Sequence, residues 1–152
     1  MTTEKDKAAV ELAVFSEFVR IANLPIAIES AEKRSPPEPD LVCTHATEGR
    51  IAFELVEICD PNLARALADP RPNPDGVEYI RTSDPSFSIV RNKLRKNYHT
   101  EHPIELLCYT DGRVITPNDV ILPTIRPLLG SFRHTFRRAW LLSQGKVFRI
   151  WD

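Results

Sequence analysis

The residues best suited to chemistry lie in two short segments, Pro39-Asp40 and Glu54-Leu55-Val56-Glu57. Thirteen residues separate Asp40 from Glu54, room for a strand, a turn and a second strand. Two carboxylates brought to one face of a hairpin repel each other and need a positive partner. A hard cation such as Mg²⁺ suits that role, because it takes oxygen ligands, keeps several waters and binds through few carboxylates. Such an ion can activate a water and offset charge developing on a phosphate. Glu54 is the more telling of the two. It stands in Ile51-Ala52-Phe53-Glu54-Leu55-Val56, a run fit for an internal strand, where lone carboxylates are rare. Glu57 points to the other face of a regular strand, where it reads as a surface carboxylate unless a bulge turns it to a metal.

The elements that must position these residues follow from periodicity. Ala8, Leu12, Phe15, Phe18, Val19 and Ala22 recur at helical spacing, so residues 4–22 predict an amphipathic helix ended by Asn23 and Pro25. Glu11 falls on the apolar face of that helix, between Phe15 and Phe18 in angle, at its edge or in a site. Ile26–Ile28 reads as a short strand. Asp40–Thr44 and Arg50–Ile58 read as a hairpin turned at Thr47-Glu48-Gly49. Alternation puts Leu41 and Cys43 with Ile51, Phe53 and Leu55 on the face toward core helices. Asp40 and Val42 then share the other face with Ala52, Glu54 and Val56, with Asp40 opposite residues 54 to 56.

Asp60-Pro61 starts a short helix to Ala68, and residues 69–83 read as a long loop. Asp84-Pro85 starts another helix, expected to reach His99 with Phe87, Val90, Leu94 and Tyr98 on its core side. Ile104–Tyr109 reads as a strand covered on both faces. Thr116-Pro117 opens a helical stretch that Pro123 and Pro127 should interrupt or kink. Phe136–Leu142 and Lys146–Trp151 flank Ser143-Gln144-Gly145 as a closing hairpin. A crossover between the strands at 50–58 and 104–109 makes the fold α/β, a mixed central sheet flanked by helices.

The element order, together with Glu11, Pro39-Asp40 and Glu54, resembles the PD-(D/E)XK nuclease-like superfamily, over about residues 4–110. The resemblance implies a restriction-endonuclease-like core (αβββαβ) followed by the C-terminal β-hairpin. It also implies Mg²⁺-dependent hydrolysis of nucleic-acid phosphodiesters. Asp40 and Glu54 would be the metal ligands, with Glu11 joining the site directly or through water. The family's lysine would stand two residues after Glu54, but Val56 is there. Some members place that lysine on a neighbouring element, and Lys93 is the candidate, since it shares a helix flank with Ile89 and has a stem long enough to reach the sheet. Val56 also keeps open a second reading, an inactive nuclease-fold module that binds without cleaving. A third is a protein-interaction domain using the 69–83 loop and Trp140 or Trp151.

Composition bounds these readings. The chain has 152 residues, 42% apolar and 27% charged, which suits one domain over 1–152 with its own core. No run of 18 apolar residues predicts a membrane span, and no basic segment leads into an apolar stretch as in a secretory signal. Cys43, Cys59 and Cys108 are odd in number and read as reduced thiols of a cytoplasmic protein. Net charge is −1, but residues 1–76 carry −6 and residues 77–152 carry +5. Arg126, Arg133, His134, Arg137 and Arg138, interleaved with Phe132 and Phe136, form a stretch that could meet a phosphate backbone or be a solvated edge. His45, His99, His102 and His134 lack zinc-site spacing, and no glycine-rich phosphate loop is present.

Overall fold

A computed structural model describes residues 3–69 and 80–152. Helix α1 (Glu4–Ala22) is opened by a capping box. Thr3 Oγ1 accepts the Asp6 N–H, and the Asp6 carboxylate accepts the Thr3 N–H. Asn23 closes it at φ 53°, in the left-handed region that asparagine tolerates. Six strands follow: β1 (Ile26–Lys33), β2 (Leu41–His45), β3 (Gly49–Glu57), β4 (Ile104–Tyr109), β5 (Phe136–Ser143) and β6 (Lys146–Trp151). Helices α2 (Pro61–Ala68) and α3 (Ser86–Leu94) lie between β3 and β4, and α4 (Asn118–Ser131) lies between β4 and β5. The strands form one mixed sheet in chain order. The β3–β4 and β4–β5 pairs are parallel and the other three antiparallel.

Both faces of the sheet are buried. On one side α1 sets Phe15 and Phe18 against Phe53 and Trp140. The Phe15–Phe53 and Phe18–Trp140 rings meet edge to face, 5.0 and 5.3 Å between centroids. On the other side α3 and α4 pack Val90, Leu94, Ile121 and Ile125 on Val42, Ala52, Leu106 and Leu141. The hairpin alternation is as expected. Leu41, Cys43, Ile51, Phe53 and Leu55 face α1, while Val42 and Ala52 face the other layer. The β2–β3 register, Leu41 opposite Phe53 and Val42 opposite Ala52, carries Asp40 to the position across from Glu54.

Four expectations need correction. Strand β1 runs on to Lys33, past Ile28, because an edge strand with an irregular register between Ala27 and Glu32 tolerates polar residues. Helix α3 ends at Leu94, not near His99, so Tyr98 lies in the connection to β4. Its buried stripe is Ser86, Val90 and Leu94, spaced by four. Phe87 is one position off that stripe, 47% exposed, with the Arg91 guanidinium over its ring. Helix α4 continues unbroken through Pro123 and Pro127. Both prolines lie on its exposed side, where carbonyls left without an N–H partner meet water.

Asp60 caps α2 as expected, accepting the Asn62 N–H at 2.9 Å. Its other oxygen accepts the Ser83 N–H at 2.9 Å, which docks the start of the α3 segment onto α2. That bond holds the Asp60 carboxyl below its ordinary range. The expected 69–83 loop lies mostly outside the described residues; its described ends, Asp69 and Ile80–Ser83, are neither helix nor strand. No helix among the described residues is long and apolar enough to cross a membrane.

Candidate active site

At the C-terminal ends of the parallel strands β3 and β4 the sheet opens into a cleft of about 630 Å³. Helix α1 supplies Lys7, Val10 and Glu11, β3 supplies Val56 and Glu57, and α3 supplies Lys93. Asp40, Asp111 and Arg113 complete the rim. Two smaller cavities adjoin it. One of about 490 Å³ reaches Lys33 and Arg34, and one of about 310 Å³ reaches Glu54, Lys96 and Tyr98. Lys7 and Asp40 border all three.

Asp40 and Glu54 are locked together by their backbones. The Asp40 N–H donates to Glu54 Oε1 at 3.0 Å, and the Leu55 N–H donates to Asp40 Oδ2 at 2.8 Å. These bonds cross from the residue before β2 to the middle of β3, extending the ladder by side chains. Glu54 is buried, 4% exposed. Its Oε2 accepts the Lys93 ammonium at 2.7 Å and the Tyr98 hydroxyl at 3.2 Å. Burial and the neighbouring Asp40 charge raise the Glu54 carboxyl above its ordinary value, and Lys93 opposes them. Burial and the same carboxylate push the Tyr98 phenol upward, so it stays a hydroxyl donor.

Glu11 is buried: of the two places its angle on α1 allows, the edge of the apolar face and a site, it takes the inner one. It accepts Lys33 Nζ at 2.6 Å and stands 3.9 Å from Lys7 Nζ. Glu57, on the α1 face, is paired with Arg113 and faces the cleft without joining Asp40 and Glu54. Val56 lines the cleft where the resemblance would put a lysine. The structure thus gathers Asp40, Glu54 and Lys93 into one cluster, and brings Glu11 to the same cleft through a separate lysine.

Sequence reasoning missed Lys33 and Tyr98 at this site. Lys33 was hidden because β1 looked finished at Ile28, although the alternate residues Glu29 to Lys33 could have continued an edge strand. Tyr98 was assigned to a helix face that does not extend that far. Glu105 was overlooked on β4, where it pairs with Phe53 and so lies on the opposite face of the sheet from Glu54. It is 2% exposed inside an otherwise apolar strand and accepts Arg137 at 2.8 and 3.0 Å, Arg138 at 3.3 Å and the Trp140 indole N–H at 2.8 Å. Arg137 and Arg138 also bind Glu48. Two of the five basic residues of that stretch, Arg137 and Arg138, are therefore committed to an ion cluster with Glu48 and Glu105. His134 Nε2 donates to the Leu129 carbonyl at 2.9 Å. Trp140 is buried, and Trp151 is partly buried against the core. The Cys43 and Cys108 thiols are buried, and burial pushes both up to about 12, far from a reactive thiolate.

The Asp40 and Glu54 carboxylates are the oxygen donors that the backbone bonds linking the start of β2 to β3 bring together. Among the described residues no group of three or more His, Cys, Asp or Glu is placed to hold a metal ion. The cleft lining carries four carboxylates, Glu11, Asp40, Glu57 and Asp111, against the cations Lys7, Lys93 and Arg113. A phosphate entering it needs further positive charge. No family model, curated protein or solved structure matches the chain.

Proposed function

We propose that this chain is a Mg²⁺-dependent hydrolase of nucleic-acid phosphodiesters, built on a restriction-endonuclease-like core with Lys93 in the role of the absent motif lysine. The observation that carries the reading is the Lys93 ammonium, 2.7 Å from the Glu54 carboxylate that stands across from Asp40. It comes from α3, a neighbouring element, while Val56 fills the usual place. The element order from α1 to β4 supports the same core. The donor set fits a hard ion: it is all oxygen, two carboxylates, with room in the cleft for the waters Mg²⁺ keeps. When bound, the ion would supply a water of lowered pKa and offset phosphate charge.

The chain's own residues do the rest. Asp40 and Glu54 hold the cation, and their backbone bonds keep the two carboxylates from rotating apart. Lys93 has two N–H donors beyond the one given to Glu54, free to orient a water or a non-bridging phosphate oxygen. Glu11, steadied by Lys33, bounds the cleft from α1 and can accept hydrogen bonds from ordered water.

One observation favours the inactive-module reading. Both Glu54 oxygens already accept donors, as in a structural ion pair. Calorimetry with Mg²⁺ and cleavage assays on labelled DNA and RNA separate the two. Asp40→Asn and Glu54→Gln should each lower Mg²⁺ affinity and cleavage together, by about tenfold or more. Lys93→Met should keep Mg²⁺ binding while cleavage falls about a hundredfold. Salt-dependent binding of nucleic acid with no product and no Mg²⁺ uptake would replace the hydrolase by the binding module.

A further inference from the structure

The Glu54 carboxylate is held by more than its ion pair, because the Tyr98 hydroxyl donates to the same oxygen as Lys93. Two contacts anchor the connection that carries Tyr98. The His99 N–H donates to the Pro37 carbonyl at 2.9 Å, tying it to the segment that leads into Asp40. The Tyr98 ring packs against Phe136 of β5, with 5.7 Å between centroids. The hydroxyl is therefore aimed from a fixed ring with two torsions, whereas Lys93 reaches from a flexible four-carbon stem.

That difference has a chemical use. If the ammonium alone held Glu54 Oε2, turning it toward a ligand would leave the carboxylate held only through Oε1, by the Asp40 N–H. A second, rigid donor removes the conflict. We propose that Tyr98 is a positioning residue of this cleft: its hydroxyl fixes the plane of the Glu54 carboxylate, so that Lys93 can turn toward an anionic ligand while Glu54 keeps its aim at the cation. The proposal rests on the hydrolytic reading of Asp40, Glu54 and Lys93.

Tyr98→Phe removes one oxygen and keeps the ring on Phe136. In full-length protein carrying ¹³C at the glutamate carboxyls, the Glu54 signal is identified by its loss in Glu54→Gln. At constant pH and without metal, that signal should move in Tyr98→Phe. Mg²⁺ affinity measured by calorimetry should fall about tenfold, the usual effect of removing a group that orients a ligand. Cleavage should lose kcat with KM nearly constant. Phe136→Leu loosens the ring but keeps the hydroxyl; it should lower the thermal midpoint, while the Glu54 signal and Mg²⁺ affinity change less than in Tyr98→Phe. An unmoved Glu54 signal in Tyr98→Phe overturns the proposal whether or not metal binds. So does a moved signal with unchanged Mg²⁺ affinity, or a Phe136→Leu chain that loses as much affinity as Tyr98→Phe. A moved signal in a wild-type chain that binds no Mg²⁺ sinks the hydrolytic reading alone, and Tyr98 then stands as the group that orients Glu54.

Discussion

Two buried glutamates stand one register step apart on β3 and β4 and face opposite sides of the sheet; the Glu105 cluster reaches the β2–β3 turn at one end, Glu54 borders the cleft at the other, and their surroundings differ in kind. Glu105 is surrounded by fixed donors: two guanidinium groups and an indole N–H, with Glu48 closing the outer side. It lines none of the cavities described above. Glu54 has one ammonium, one hydroxyl and the Asp40 backbone N–H, and it borders open space. Planar guanidinium forks are preorganised and always charged, so they hold a carboxylate in place. A lysine on a flexible stem neutralises a carboxylate but can move away from it. The first arrangement stabilises the packing of β4 against β5 and the β2–β3 turn. The second leaves a charged group available to a ligand.

The largest effect expected from this contrast is on stability. Glu105→Gln leaves two arginines facing a neutral amide, and should lower the unfolding free energy by about 3 kcal/mol, measured by urea denaturation. Lys93→Met should cost about 1 kcal/mol, because Glu54 can respond to the loss by taking up a proton. Equal costs at the two ends would erase the distinction.

Next in size is an opposite dependence on pH. Hydrogen bonding from Arg138 holds the Glu48 carboxyl below the ordinary glutamate value of 4.5. Its contribution to stability is present above that value and is lost as pH falls through the depressed one. The Glu54 carboxyl is raised above 4.5, by burial first and Asp40 second. Its contribution is present below 4.5 and is lost as pH rises through the raised value. Thermal midpoints from about pH 4 to about pH 8 should therefore diverge. Relative to wild type, Glu48→Gln should look worse toward neutral pH, and Glu54→Gln should look better. Parallel curves would mean that the two ends are not electrostatically distinct.

The smallest effect sharpens the comparison at one end. Arg137→Lys keeps the charge but loses the fork that spans Glu48 and Glu105. At a site about one-third exposed, this should cost about 0.5–1 kcal/mol in the same urea measurement.

What the sequence discloses follows the range of the interactions. The Asp40–Glu54 pairing was legible because a short turn and strict alternation fix the register of β2 and β3. The angle of Glu11 on α1 placed it at the border of the apolar face, but whether its carboxylate turned inward depended on Lys33 of β1, which helical periodicity does not contain. Lys93 could be nominated from its helix flank, but its meeting with Glu54 spans 39 residues and needs the packed layers to exist. Tyr98 was misplaced for a related reason. Helix periodicity extends past Leu94 on paper, while the bond from His99 to Pro37 draws the chain across to the segment before β2. Glu105 was masked by its neighbours in Ile104–Tyr109, since the arginines that justify a buried carboxylate lie more than thirty residues further on. The stripe of α3 was mistaken by one position. Phe87 looks like a core residue by type, yet spacing by four from Leu94 and Val90 leads to Ser86.

The order of the strands across the sheet is also their order in the chain. Each strand after the first pairs with the one synthesised just before it, so the sheet can grow in one direction as the polypeptide leaves the ribosome. Antiparallel β1 to β3 join through short connections. The parallel β4 needs the crossover that carries α2 and α3, and the entropic cost of closing it grows only slowly with its length. Until α3 packs, Asp40 and Glu54 face each other without Lys93, and the nascent sheet presents a bare carboxylate pair. A facing carboxylate pair repels unless a positive group joins it, so the packing of α3 supplies, through Lys93, the charge that lets the pair stay ionised.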